Sequence, residues 1–245
     1  MSTSKRSPLH FLFSQIVTHI LLTVTGSLGF FVIHNVIRRN LTTCAEHMRN
    51  LSVAEIEPYI TYAKYTLHVT LDQIISSDEL WFPMFAEHDS RFTPYILAHE
   101  QPRAQTVGLR ELLSSLDSSS GSIDDSVRVK IANEFTELFD ILNKQFDEEE
   151  VLVNELGRQV QLEKIHAIQK KQEERRKADV KTYGHLWTAV YLLRSLEPKE
   201  RAIFPPGVPK FIVSGMMTAG GMQFRRYVLL IFVSSSNIVC YDRSY

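Results

Sequence analysis

Cysteine is scarce in this sequence: two among 245 residues, Cys44 and Cys240, almost at opposite ends of the chain. With no Cys-x-x-Cys spacing, neither a disulfide framework nor a zinc knuckle is indicated, and the pair reads as reduced thiols in a cytosolic-type setting. An excess of either charge is missing too. Lys and Arg number 27 against 28 Asp and Glu, a formal net charge of -1, so no global field draws the chain to DNA, RNA or anionic lipid. The one basic run, Lys170 to Lys177, is interrupted by Glu173 and Glu174; it reads as a solvated helix face, and no nucleic-acid partner is expected. Also absent are Gly-x-Ser-x-Gly, a Gly-rich phosphate loop and His-Glu-x-x-His, and with them the chemistries those motifs carry. Ser214 to Gly221 contains glycines but follows no strand pattern, so it reads as a loop or frayed helix. No strand-rich region and no internal repeat is visible.

What is present is an ordinary globular composition, 44% hydrophobic and 22% charged, in a chain long enough to bury a core. From Leu9 to Ile33 there is no Asp, Glu, Lys or Arg, and the densest part, Ile16 to Ile33, has about the length that crosses a hydrocarbon core. His10, His19 and Gln15 dilute it, and Gly26 and Gly29 weaken it as a helix. Basic residues flank both sides (Lys5, Arg6; Arg38, Arg39), so charge does not orient it. It lacks a clean small-x-small cleavage site. Three readings stay open here: a membrane anchor, a buried first helix leading into the fold, and a removable signal. Location is accordingly cytoplasmic or membrane-associated.

Beyond Val36 the pattern is helical. Ser52-Val-Ala-Glu55 reads as a capping box and Pro58 fits the opening turn of a second helix. Ala63, Leu67, Leu71, Ile74, Trp81 and Phe85 then recur at three- to four-residue steps, with one gap near Ser77 and Asp78. That helix should stop around Glu87 to Ser90. A third is expected from Pro94 to Leu116, with Pro102 an awkward guest inside it. Asp117 to Ser122 is a linker loop. Ser122-Ile-Asp-Asp125 caps a fourth helix, whose stripe is Ile131, Phe135, Leu138, Leu142, Gln145, Glu149, Leu152 and Leu156. Gln161 to Lys177 continues as exposed helix, Tyr183 to Leu196 is an amphipathic accessory helix, and Phe204 to Pro209 is extended. The apolar tail from Tyr227 to Val233 is too short to span a membrane.

Five segments in order carry a family likeness: His34-Asn-Val-Ile-Arg-Arg39, Leu80-Trp-Phe-Pro83, Glu100 to Leu112, Phe146-Asp-Glu-Glu-Glu-Val-Leu152 and Phe204-Pro-Pro-Gly-Val-Pro209. Together they resemble the hemerythrin-like (HHE cation-binding) proteins, in particular their larger fungal forms. The resemblance implies an all-α, up-down four-helix bundle with an extra C-terminal helix and an apolar N-terminal helix. It divides the chain into an apolar segment (1–33), the bundle (34–157), a charged and accessory region (158–224) and a tail (225–245). It also implies two bridged irons held between four helices by about five His and two Asp or Glu.

Carried over residue by residue, the implied ligand set is depleted. His34 matches the first-helix ligand and Glu149 the fourth-helix carboxylate. The other positions fall on Gln73 and Ser77 (with Asp78 next door), on Pro102 and Thr106, and on Gln145. Two ligands do not hold a dinuclear centre against water, so His34 and Glu149 read as vestigial metal positions that pair with each other, joined by Gln145. Asp78 could serve only if its helix were rotated. His68 and Asp72, four residues apart, could substitute, but His68, His88 and His99 read as surface or partly satisfied histidines, and Asp147, Glu148 and Glu150 as solvated. The expectation is therefore a non-catalytic relative with no cofactor and an interaction or structural role. Against it stand an iron- or oxygen-binding carrier or sensor, with unconventional ligands His68, Asp72, Asp78 or His99 converging on His34 and Glu149, and a membrane-tethered helical protein anchored through Leu9 to Ile33.

Overall fold

The computed structural model describes residues 27–116, 123–156, 159–160, 162–183 and 185–203, with scattered positions between 210 and 218. Every extended element among them is helical. In chain order they are α1 (Ser27–Arg49), α2 (Ile56–Ser76), a π-helical turn (Ser77–Trp81), α3 (Phe82–Ala86), α4 (Thr93–Ala98), α5 (Glu100–Leu116), α6 (Asp125–Leu156), α7 (Leu162–Tyr183), α8 (His185–Ser195) and α9 (Pro198–Ile203). Helix α1 lies along α6 and α2, and α5 lies along α2 and α6, so these four helices close a ring around their apolar faces. The chain is all-α.

Local sequence explains each boundary. Ser52 opens the expected capping box, its backbone N–H donating to the Glu55 carboxylate at 2.9 Å, and a short 3-10 turn (Val53–Glu55) leads into α2. The gap in the α2 stripe is the π turn. Pro83 has no N–H for the carbonyl of Glu79, four residues earlier, and its ring crowds that carbonyl. The backbone widens by a residue, the Phe82 N–H reaching the Ser77 carbonyl, and Ser77, Asp78 and Trp81 all turn into the core.

The expected single helix from Pro94 to Leu116 is instead two. Helix α4 ends at Ala98 and α5 begins at Glu100, because Pro102 cannot donate to the Ala98 carbonyl. That orphaned carbonyl accepts from the Gln145 side-chain amide at 2.8 Å. Gln145 is thereby corrected: it repairs a proline break and does not join His34 and Glu149. On α6 the buried row runs Leu138, Leu142, Phe146, Glu149, Val153, with Phe146 in the place that the sequence pattern assigned to Gln145.

Two apolar clusters fill the interior. The larger takes Val36, Ile37 and Leu41 from α1, Tyr62 and Leu67 from α2, Phe135 and Leu142 from α6, and Val190 to Leu193 and Leu196 from the accessory region. The smaller gathers Phe30, Trp81, Phe82, Phe85, Phe92, Leu152 and Leu156 with Ile165 and Ile168 of α7. Helix α8 is locked down by a buried polar group. Asn40 donates to the Tyr191 hydroxyl (2.7 Å) and to Ser195 Oγ (2.9 Å), Tyr62 donates to Asn40 Oδ1 (2.7 Å), and Tyr191 donates to Thr66 Oγ1 (3.0 Å). With all five groups hydrogen-bonded, their burial carries no desolvation penalty beyond the exchange with water.

Of the apolar run Leu9 to Ile33, residues before Ser27 lie outside the described residues, as do the loop Asp117 to Ser122, the segment Phe204 to Pro209 and the tail. Its end belongs to α1, with Phe30 and Val32 buried in the core. Hence His34 sits inside α1. No described helix is long and apolar enough to cross a membrane.

Candidate functional site

Polar groups meet at the centre of the ring from every side. Helix α1 supplies His34 and Arg38, the π turn Asp78, the α4–α5 break His99, α5 Arg103, and α6 Glu149 and Glu150. The side chains of His34, His99 and Glu149 are at most 1% exposed. His99 bridges two carboxylates: Nδ1 lies 2.6 Å from Asp78 Oδ1 and Nε2 2.9 Å from Glu149 Oε1. Carboxylates accept only, so this geometry calls for an N–H on both ring nitrogens. Burial pulls the His99 pKa down, but the hydrogen bonds and charges of Asp78 and Glu149 win and push it up to about 9. Phe82 lies against the His99 ring at 5.5 Å between centroids.

Beyond Asp78, the Arg103 guanidinium donates to Oδ2 at 2.5 Å. On the other side, His34 Nδ1 donates to Glu150 Oε1 at 3.0 Å, while its ring stacks on Phe146 at 3.8 Å. Arg38 donates to the same Glu150 oxygen (2.7 Å), to Asp147 (3.0 Å) and to Asn143 (2.9 Å), and sits over the Phe146 ring. Between the halves, His34 Nε2 and Glu149 Oε2 face each other at 3.7 Å. That is within ion-pair range yet too long for a hydrogen bond, and neither atom has another partner.

The expected pair His34 and Glu149 does come together, but its company differs from expectation. His99 is not a surface histidine; it is the bridge of the site, carried inward by the helix break at Pro102. Glu150 is not solvated, since Arg38 and His34 hold it. Asp78 faces in because the π turn supplies the rotation a regular helix would have denied. Gln73 is buried and donates to Ser77 Oγ at 3.2 Å, and Thr106 returns its hydroxyl to the Pro102 carbonyl. His68 lies beside Tyr65 instead. His88 is exposed. Among the described residues, no group of three or more His, Cys, Asp or Glu is arranged to hold a metal ion. The sequence did contain signals for the missed residues: the interrupted stripe at Ser77 and Asp78, a proline three residues after His99, and an Arg four residues after His34.

A shallow cleft of about 290 Å³ opens outside this centre, lined by Asp78, Glu79, Ile96, Leu97, Glu100 and Arg103. Arg175 of α7 reaches its edge through an ion pair with Glu79.

No family model matches the chain, and no solved structure matches it. A curated relative does: the xanthocillin biosynthesis cluster protein F of Aspergillus fumigatus is 54% identical over 203 residues, 83% of this chain and 89% of the relative. At that identity and coverage, this chain belongs to the same family as the xanthocillin biosynthesis cluster protein F.

Proposed function

We propose that this chain is a hemerythrin-like helical bundle without catalytic activity, serving an accessory, interaction or structural role in the biosynthetic setting that its relative's name describes. The observation carrying this reading is that the buried carboxylates are already paired by side-chain cations. The donor set fits two bridged irons poorly. Gln73, Ser77, Pro102, Thr106 and Gln145 offer no imidazole or carboxylate at the family's ligand positions. Of the groups that do converge, Asp78 spends its oxygens on His99 and Arg103, and His99 spends both nitrogens on carboxylates. A metal-binding imidazole needs a bare nitrogen.

Elemental analysis of protein expressed in iron-rich medium tests this. The expected result is far less than one iron per chain and no near-ultraviolet oxo-bridge absorption; about two irons per chain would defeat the reading.

A second reading, an iron or oxygen carrier or sensor with unconventional ligands, draws support from His99 holding Asp78 and Glu149 on its two ring nitrogens, with His34 3.7 Å from Glu149. It predicts the opposite outcome of the same analysis. Anchoring is compatible with either only through the part of the apolar run before Ser27, since Phe30 and Val32 are buried in the core, and release of the full-length chain by carbonate extraction would remove it.

A further inference from the structure

Helix α7 differs from the four helices of the ring in how little holds it down. From Gln169 to Lys177 it carries no apolar residue, and among its described side chains only Ile165, Ile168 and Gln172 are buried. We propose that α7 is a strap that lifts from the bundle while the ring stays folded, uncovering the aromatic trio Phe30, Trp81 and Phe85. The strap goes beyond the functional reading above and works the same way whether or not the bundle takes metal.

Two kinds of attachment are being compared. Helix α6 buries Leu138, Leu142, Phe146, Val153 and Leu156 along its length, so it leaves the core only when the whole bundle unfolds. Helix α7 is fastened by two isoleucines and by two ion pairs, Lys164 to Glu87 at 2.6 Å and Arg175 to Glu79. Both pairs face water: the lysine is 40% and its glutamate 61% exposed, the arginine 35% and its glutamate 52%. Exposed pairs are weak and screened by salt, and a helix with few buried apolar contacts opens at a low free energy. The two pairs bracket residues 79 to 87, the stretch that holds Trp81 and Phe85. Ile165 and Ile168 share one apolar cluster with those rings and with Phe30, and so cover them. Both ends of α7 stay pinned, by Leu156 of α6 in this cluster and by Val190 to Leu193 of α8 in the larger one. The motion is therefore that of a strap and not of a loose tail. Phe30 stands edge-on to Trp81 at 5.2 Å and to His34 at 5.6 Å, so the strap covers an aromatic approach to the polar centre.

Hydrogen exchange on the full-length chain reads the opening directly. In wild type, the amides of residues 165–172 should exchange at least about tenfold faster than those of residues 138–149 in α6. Arg175→Glu and Glu79→Arg each turn an attraction into a repulsion, and each should speed the α7 amides about fivefold further while leaving α6 unchanged. The double swap, Arg175→Glu with Glu79→Arg, restores the pair and should return α7 to the wild-type rate. In a Trp187→Phe background, where Trp81 is the remaining tryptophan, acrylamide quenching of Trp81 should rise and fall in the same order.

Exchange in α7 as slow as in α6 would mean that the two open only together, and the strap falls. Single reversals that speed α6 as much as α7 would overturn it as well, since the whole bundle would then be loosened. Faster α7 exchange with Trp81 quenching unmoved would show α7 fraying in place, without uncovering the aromatic trio, and would also count against it.

Discussion

His99 ties together residues from three segments that are far apart in the chain, and its loss should be felt as a charge problem. In His99→Ala, Asp78 keeps Arg103 but Glu149 is left buried with no hydrogen-bond partner. Breaking a buried pair from one side costs about 3–5 kcal/mol, and urea denaturation should show a loss of that order. The same residue makes stability depend on pH. Its folded-state pKa is raised from 6.5 to about 9, so the protonated form is favoured by folding. The stabilisation is therefore complete below pH 6.5 and is lost as pH rises through 9. The full swing is on the order of 3 kcal/mol. Denaturation midpoints measured across that window should fall for the wild type, and the slope should be much flatter in His99→Ala; an equal slope in both would assign the effect to other groups.

At the scale of elements, prolines decide where side chains point. Pro83 widens α2 into a π turn and brings Asp78 inward; Pro102 divides the third helix and brings His99 inward. Each break leaves a backbone acceptor that something else must serve, and Gln145 serves the carbonyl of Ala98. Gln145→Ala should accordingly cost about 1 kcal/mol. In a Pro102→Ala background, where a backbone N–H can return to that carbonyl, the same substitution should cost almost nothing. A double-mutant cycle by chemical denaturation checks this, and additive losses would mean that the two residues are not coupled. The pairing is invisible to helical periodicity, which treats a proline inside an apolar stripe only as an irregularity. What periodicity misses is the partner 43 positions along the chain, from 102 to 145.

For the whole molecule, the accessory region is part of the core. Val190, Tyr191, Leu192, Leu193 and Leu196 are buried in the same cluster as the ring of long helices, and the Asn40, Tyr62, Tyr191 and Thr66 hydrogen bonds fix the register. Each such apolar side chain contributes about 1.5–3 kcal/mol by leaving water, against a total stability of about 5–15 kcal/mol for a domain. A chain ending at Leu156 should therefore lose its cooperative thermal transition and bind a hydrophobic dye; a sharp melt in the truncated chain would show that the ring folds alone.

The amino-acid order by itself determined that this protein is helical, and roughly where its helices lie. The reason is that apolar spacing, caps and prolines act through neighbours a turn away. The capping box at Ser52, the stripe from Ala63 to Phe85 and the helix around Val190 are all legible on that basis. Which charged groups meet was decided only by the tertiary structure. Asp78, His99, Arg103 and Glu149 become partners because two backbone irregularities turn them toward one point. Arg38 reaches Glu150 because α1 and α6, separated by 112 positions at that contact, lie side by side. Long-range electrostatic pairing depends on where helices pack and how they rotate, and no local pattern encodes either.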